Sequence, residues 1–536
     1  MKTIAIYGAG RMGQDLYWYL KKTKVTVKCF IDRRGRDDKD LVYEDIPVLD
    51  IDSFDNSRWQ VDYIFIAVSD MHIVKEIEKQ LLEYGFNCRI PSLMEIFICK
   101  SAWKIKDKII PSYQIIESYL FSSCWKTILP LLFTRMKYRT IIGTQNLMNS
   151  GDYQLMMSQL FDMSIQKIRI KKKIKIWFMV YLDSVWSYDY LYQLFENSER
   201  FEPLVVIVNS QNRKRNESNK ILLESKGYRY VMFRDTKELG EPDLVMYPTM
   251  DKQYEKNINI CDRKISSLIF CIPYTFWCNT GSDHLLDSKN SNVLWRFYTP
   301  TNIHKKLGFK LNLIGSMNMR YSGYPKLDDF VQTKKIISEK KVIIYAPGLV
   351  STSEVENFGT FHLNGEDILE IAERTADRIN WIFRPHPILG NRMIRIGKYT
   401  SETYEDYIER WKRIKGAKVS IGGSYNELFI NSDAMITDAI SFVSTYQYTG
   451  NPLLYLDKEG KLYLNEYGIQ LHEIIYHSKY NDIKGIENFI ENILEGKDEL
   501  CSIRKAFYDE NIDYMNHNKM TACRYIYEDI KKTLLE

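Results

Sequence analysis

The sequence predicts an α/β protein made of three successive parallel-sheet units and a helical tail. Three observations predict it. A glycine-rich turn, Gly8-Ala-Gly10-Arg-Met-Gly13, follows directly on the apolar run of residues 3–8. Short apolar runs then alternate with helical patterns along most of the chain, the signature of βα units and a parallel sheet. Two of these runs end in polar, ligand-competent residues: Trp381-Ile-Phe leads into Arg384-Pro-His386-Pro387, and Ala434-Met-Ile leads into Thr437-Asp438-Ala-Ile-Ser441.

The first unit spans residues 1–98. Residues 3–8 read as a strand, Leu16, Tyr17 and Leu20 mark a helix, and Val25 to Ile31 is a second strand ending at Asp32. This is the G-x-G-x-x-G fingerprint in a Rossmann-like setting, with an acid about twenty residues on. Gly8, Gly10 and Gly13 permit a tight turn and the close approach of a phosphate, and Asp32 is placed for a ribose hydroxyl. A nucleotide-type site is therefore expected here. Tyr63 to Val68 adds a strand and Val74 to Tyr84 a helix. The unit is short for a dehydrogenase and has no catalytic partner domain. That favours a nucleotide-type fold without redox chemistry over the rival reading, an NAD-dependent oxidoreductase.

Residues 99–170 predict a helical linker region. Its apolar, aromatic stretch from Tyr119 to Phe133 precedes Arg135, Lys137 and Arg139. Such a stretch suits an interfacial membrane segment, and suits better a helix buried between domains. A second α/β domain, residues 171–330, follows the basic run Arg169 to Lys175. Its expected strands are Ile174 to Leu182, Leu204 to Val208 after Pro203, Tyr230 to Phe233, Asp243 to Tyr247 and Leu268 to Tyr274. Tyr188 to Phe195 and Lys220 to Ser225 are its helices, and Gly323 to Asp328 reads as a turn leaving it. The third domain, residues 331–536, has strands at Lys341 to Tyr345, Trp381 to Phe383, Ala434 to Ile436 and Leu453 to Leu456. Helices are expected at Asp367 to Ala376, Tyr425 to Ile430 and Phe442 to Tyr448, with a helical tail from Ile486 to Leu535.

Composition narrows the function. A chain of 536 residues exceeds a single core. Its 45% hydrophobic and 27% charged residues are those of a globular protein in water. A net charge of +5 excludes the strongly basic character of a nucleic-acid binder. Nine cysteines without a Cys-x-x-Cys spacing predict reduced thiols in a cytoplasmic protein. The chain opens straight into a strand, so no signal peptide is expected. No run reaches the roughly 18 apolar residues of a membrane span. Action at a membrane is then expected from its cytoplasmic face, with the basic groups near Arg135, Arg169 and Arg213 to Arg215 meeting anionic headgroups.

Ligands of open α/β sheets lie at the carboxyl ends of the strands. Arg384 and His386 stand at one such end, suited to phosphate oxygens. Thr437, Asp438 and Ser441 stand at another, where the next helix opens and its free N–H groups favour an anion. Alone, His386 also fits a buried structural histidine and Asp438 a helix cap. Together they predict a diphosphate pocket. Two Rossmann-like domains in series, with the phosphate-type residues in the second, suggest a GT-B transferase.

The third domain resembles the CDP-glycerol glycerophosphotransferase family, the teichoic acid primases and polymerases. The resemblance spans roughly residues 174–520 and rests on Gly323-Tyr-Pro-Lys-Leu-Asp328, Ile344-Tyr-Ala-Pro347, Phe383-Arg-Pro-His-Pro387, Gly423-Ser-Tyr-Asn-Glu-Leu428, Ser432 to Ser441 and Tyr448 to Tyr455. It implies transfer of glycerol phosphate or ribitol phosphate from a CDP-alditol to a hydroxyl of a lipid-linked or polymeric acceptor, releasing CMP. It also implies that His386 and the Asp438–Ser441 turn hold the donor diphosphate. Neither a metal nor another cofactor is expected beyond the donor. Gly348-Leu349 follows the Ala-Pro where the family often has His or Thr-Trp-Arg. Cys271-Ile-Pro-Tyr-Thr-Phe-Trp277 replaces a Trp-His-Gly motif, so the base must come from elsewhere; Asp183 and His284 are the candidates. A GT-B glycosyltransferase using a nucleotide sugar for capsule or lipopolysaccharide is the alternative. The first hundred residues resemble the small Rossmann-like domain preceding some sugar acyltransferases.

Overall fold

The computed structural model describes residues 3–21, 25–67, 76–77, 79–81, 83–86, 137–145, 150–181, 186–208, 213–250, 260–350, 359–422, 425–458 and 463–536. The candidate base Asp183, the stretch Tyr119 to Phe133 and Arg135 lie outside these residues. By internal contacts the chain forms two compact units. The first is Met1–Lys167 with Asn259–Ser267; the second is Ile168–Ile258 with Leu268–Glu536.

The first unit holds a five-stranded sheet: β1 (Thr3–Tyr7), β2 (Thr26–Ile31), β3 (Val42–Tyr43), β4 (Ile46–Leu49) and β5 (Tyr63–Ile66), in the order β3-β4-β2-β1-β5. All its pairings are parallel except the short β3–β4 pair. Ile4, Ile6 and Phe30 fill one face with Leu16, Tyr17 and Leu20, and Ala5, Cys29 and Ile31 fill the other with Ile64 and Ile66. The segment 259–267 completes this unit. Tyr138 donates its backbone N–H to Arg263 O (2.9 Å) and its hydroxyl to Ser267 O (2.8 Å), while Ser164 Oγ donates to Ile265 O (3.1 Å).

The second unit holds two parallel sheets. The seven-stranded sheet contains β6 (Ile174–Val180), β7 (Phe201–Ile207), β8 (Tyr230–Met232), β9 (Leu244–Tyr247), β10 (Leu268–Cys271), β11 (Arg296–Thr299) and β12 (Met319–Tyr321), ordered β12-β11-β10-β9-β6-β7-β8. β9 and β10 are buried at every residue, as strands covered on both faces must be. β7 starts three residues before the predicted strand and carries Pro203 within it. The proline fits because β8 pairs only from Val205 onward, so no second ladder needs its missing N–H.

The six-stranded sheet contains β13 (Lys341–Ala346), β14 (Ile379–Phe383), β15 (Lys418–Val419), β16 (Ala434–Thr437), β17 (Leu453–Asp457) and β18 (Tyr476–Lys479), ordered β15-β14-β13-β16-β17-β18. Phe383 stacks on Trp411 with centroids 4.8 Å apart, the centre of a core that includes Trp381 and Tyr407. The helix after β13 begins at Phe361, six residues before its predicted start. The C-terminal helix Ala522–Leu535 returns to the seven-stranded sheet. There Tyr527 packs edge-on against Phe195 (5.2 Å), and Asp529 accepts from Arg296 Nε (3.0 Å) and Tyr298 OH (2.8 Å). Two parallel sheets joined by such a returning helix make the second unit a pair of the GT-B kind.

Candidate functional site

The carboxyl ends of β14, β13 and β16 lie side by side, because Tyr345 pairs with Phe383 and Ala346 with Thr437. The loops that follow are laced together. Arg384 N donates to Tyr345 O (2.8 Å) and His386 N to Pro347 O (3.1 Å). Asp438 completes the lacing with its carboxylate. Oδ1 accepts from Gly348 N (2.5 Å), and Oδ2 accepts from the backbone and hydroxyl of Thr360, the latter at 2.8 Å. Asp438 thereby holds the loop after β13 and the start of the helix Phe361–Arg374.

The predicted donor residues divide into two layers. His386 and Ser441 are exposed. Although the residue as a whole is exposed, partial desolvation of the ring lowers the His386 pKa, which favours its neutral form. Thr437 and Asp438 are buried beneath them at 0% and 2% exposure. Thr437 Oγ1 donates to Ala346 O (2.6 Å) and accepts from Ala439 N (2.9 Å). The polar side-chain atoms of these two residues are engaged in hydrogen bonds to protein groups.

Arg384, 5% exposed, donates from Nη1 to Ser420 Oγ (2.8 Å) and Gly422 O (2.9 Å). Its guanidinium carbon lies 5.8 Å from the ring centre of Tyr425, and Lys326 Nζ lies 4.7 Å from the same centre. Burial lowers the pKa of both cations, and Arg384 lowers that of Lys326 further. Sequence reasoning quoted the turn holding Lys326 and the helix holding Tyr425 as motifs without assigning either residue a chemical task. The available signal was a lone lysine between Pro325 and Leu327 in an otherwise apolar turn.

The two sheets meet through loops. Asn279 bridges Leu464, Thr280 N donates to Tyr463 O (2.8 Å), and Asn465 Nδ2 donates to Trp277 O (3.0 Å) and Asp283 Oδ1 (2.9 Å). His284 follows directly. Its Nδ1 lies 2.5 Å from Gly281 O. A carbonyl only accepts, so Nδ1 carries the proton and Nε2 presents a lone pair. Among the described residues Nε2 has no hydrogen-bond partner. This is the tautomer of a general base, but the nitrogen itself is buried.

In the first unit Gly8 has φ of 103°, and a Cβ on Gly13 would lie 1.8 Å from Gly8 O, so both glycines are structural necessities of the turn. A Cβ on Gly10 would meet only open space. Asp32 is already engaged: it accepts from Ala9 N (2.8 Å) and from Arg34 Nε (2.9 Å) and Nη2 (3.0 Å). Those hydrogen bonds lower its pKa although burial opposes them. Among the described residues no group of three or more His, Cys, Asp or Glu has the composition of a metal site.

Residues 284–531 match the family model of CDP-glycerol:poly(glycerophosphate) glycerophosphotransferase. That stretch, just under half of the chain, is similar to that family. The matched region begins at His284 and contains Lys326, Arg384, His386, Asp438 and Ser441; Asp183 precedes it. No curated protein sequence matches the chain. Among solved structures, the UDP-GlcNAc 2-epimerase of Neisseria meningitidis bound to UDP-GlcNAc is similar at 11% identity, over 68% of this chain and 99% of that one, with a TM-score of 0.44. A putative UDP-N-acetylglucosamine 2-epimerase of Listeria monocytogenes is similar at 12% identity, over 68% and 96%, with a TM-score of 0.46. A variant of the wall teichoic acid polymerase TagF soaked with CDPG is similar at 15% identity, over 71% and 94%, with a TM-score of 0.43. The fold assignment rests on the strand orders of the two sheets.

Proposed function

We propose that the chain transfers a glycerol-phosphate or ribitol-phosphate unit from a CDP-alditol to a hydroxyl of a lipid-linked or polymeric acceptor, releasing CMP. The carrying observation is the pair His386 and Ser441. Both are exposed above a laced polar floor at the carboxyl ends of β14 and β16, within the glycerophosphotransferase region. The acceptor oxygen attacks the distal phosphorus, a new P–O bond forms, and the bond to CMP breaks. Catalysis then consists of positioning and charge stabilisation. Neutral His386 and Ser441 orient the diphosphate, and His284 is the candidate to receive the acceptor proton once its buried Nε2 is uncovered. A lipid-linked acceptor places the work at the inner face of the cell membrane, with peripheral contact to anionic lipid; among the described residues no helix is long and apolar enough to cross a membrane. The glycine loop of the first unit is read as a nucleotide-type site without redox chemistry.

Incubation of the full chain with CDP-glycerol, CDP-ribitol and a panel of nucleotide sugars tests this reading. CMP release from a CDP-alditol supports it. Release of a nucleoside diphosphate from a sugar donor alone replaces it with a glycosyltransferase.

A further inference from the structure

We propose that the outward face of the helix Asn302–Leu311 docks on an anionic lipid bilayer, with the Phe309 ring entering the interface and lysines meeting the headgroups. This helix connects β11 to β12 of the seven-stranded sheet, and it contains no acidic residue. Ile303, His304, Leu307 and Gly308 face inward and are buried. Gly308 lies so close to β12 that an added Cβ would come within 2.6 Å of Met319 Cε. The opposite side of the helix therefore faces outward. There Phe309 is 60% exposed, one helical turn on from the exposed Lys305 and Lys306. Among the described residues neither of these lysines makes an ion pair. Lys310, next to the aromatic residue, donates to Glu466 Oε2 (2.8 Å). Leu311 and, one turn past Glu466, Ile469 add further exposed apolar surface.

One exposed aromatic ring is ordinary on a protein surface. A ring set among lysines, on a helix without a carboxylate, is a more particular combination. A bilayer interface takes both parts at once. The ring leaves water among the headgroups and upper acyl chains. The lysine stems lie along the apolar layer while their ammonium groups meet lipid phosphates. Such an interface asks for charge and apolar area and for no matching shape, which suits the outer side of a single helix. The position also suits the proposed reaction. Glu466, which holds Lys310, adjoins Asn465, and Asn465 Nδ2 donates to Asp283 Oδ1 (2.9 Å) beside His284. A chain of side-chain contacts thus ties this face to the loop of the candidate base. A bilayer on the face presents lipid-linked hydroxyls from the side of that loop. The inference rests on the proposed peripheral contact with anionic lipid and gives that contact a surface.

The test is flotation of the full chain with vesicles of phosphatidylcholine alone and of phosphatidylcholine with phosphatidylglycerol, at low and high salt. The proteins are wild type, Phe309→Ser, Phe309→Trp, the double variant Lys305→Glu with Lys306→Glu, and a control, Lys415→Glu with Lys418→Glu. The control makes the same change in net charge on exposed lysines at and just before β15. Wild type should float with the anionic vesicles at low salt and less at high salt. Phe309→Ser and the Lys305 and Lys306 reversal should each lower partitioning at least about tenfold. Phe309→Trp should keep it, and the control should stay close to wild type. CMP release from CDP-glycerol onto a soluble acceptor should be the same in wild type and Phe309→Ser. Where Phe309→Ser lowers the melting temperature, the lysine reversal decides alone. Wild-type flotation of a folded Phe309→Ser protein, or of the lysine reversal, overturns the surface and leaves the peripheral contact to other groups. Equal recovery with both kinds of vesicle, or with neither, overturns both. A wild-type dimer in sedimentation that Phe309→Ser dissociates gives the face to a second copy of the chain and also overturns the proposal. Salt-sensitive flotation that Phe309→Ser abolishes, without CMP release from any CDP-alditol, sustains the surface and rejects the transferase reading.

Discussion

At the scale of single residues, neighbours in the same motif have different tasks. His386 is exposed and its removal leaves no buried group unpaired, so His386→Ala should lower turnover about 100-fold or more with little change in melting temperature. Steady-state kinetics beside a thermal melt separates the two. Asp438 is the reverse case. Asp438→Ala strands the N–H of Gly348 and both donors of Thr360, and should cost about 2–3 kcal/mol of stability, measured by denaturant unfolding. His304 yields a pH prediction. It is fully buried, and burial pushes its pKa down to about 4 from 6.5. The unfolded chain therefore takes up a proton before the folded one does. Stability from this residue should be intact above pH 6.5 and fall as pH drops toward about 4. His304→Gln, whose amide keeps a donor and an acceptor, should flatten that part of the melting-temperature profile. The position of His386 directly past an apolar parallel strand was legible in the sequence, because the strand's apolar run ends there. The tethering by Asp438 was not, because its partners lie 78 and 90 residues away. Burial and partners that distant leave no local signature.

At the scale of elements, Asp328 anchors the C-terminal helix. Its carboxylate accepts from Tyr514 OH (2.9 Å) and from the N–H groups of Ala522 (2.8 Å) and Cys523 (2.8 Å). Burial raises its pKa, and these donors work against that shift. Asp328→Ala should detach the first turn of the helix Ala522–Leu535, detectable as faster amide exchange there. Gly323 provides a sharper test of the same corner. With φ of 86° and an added Cβ only 2.1 Å from the Tyr514 ring, Gly323→Ala should be strongly destabilising, and pairing it with Tyr514→Ala should recover only part of the loss. Strands buried on both faces, such as β9, β10 and β16, were readable as continuous apolar runs. The two-residue β15 was not, nor were β3, β4, β11, β12 and β18. Short strands carry too few residues for a period, and Tyr476–Lys479 is polar at alternate exposed positions.

At the scale of the whole molecule, the basic groups expected to face a membrane have particular local roles. Lys137 and Arg139 pair with Asp262, and Lys171 with Asp243 (2.5 Å). Flotation with anionic vesicles at low and high salt tests membrane contact: charge reversal at Arg213 to Arg215 should reduce recovery, and equal recovery with neutral vesicles removes the membrane proposal. The two-unit organisation also bears on dissection. A protein starting at Ile174 keeps both parallel sheets but leaves Arg263, Ile265 and Ser267 without the partners that Tyr138 and Ser164 provide. It should expose apolar surface and bind a hydrophobic dye.

The detour of Asn259–Ser267 into the first unit sets an order on birth as well as on stability. A chain leaving the ribosome delivers residues 1–167 first, yet the piece that finishes their unit emerges about a hundred residues later, after β6 to β9 of the next sheet. Domains otherwise fold in sequence as they are made, at about 5–20 residues per second, so the first unit should wait unfinished for several seconds. Nascent chains arrested with residue 250 at the tunnel exit should therefore be cut readily by protease around Tyr138 and Ser164. Chains arrested with residue 280 at the exit should resist there.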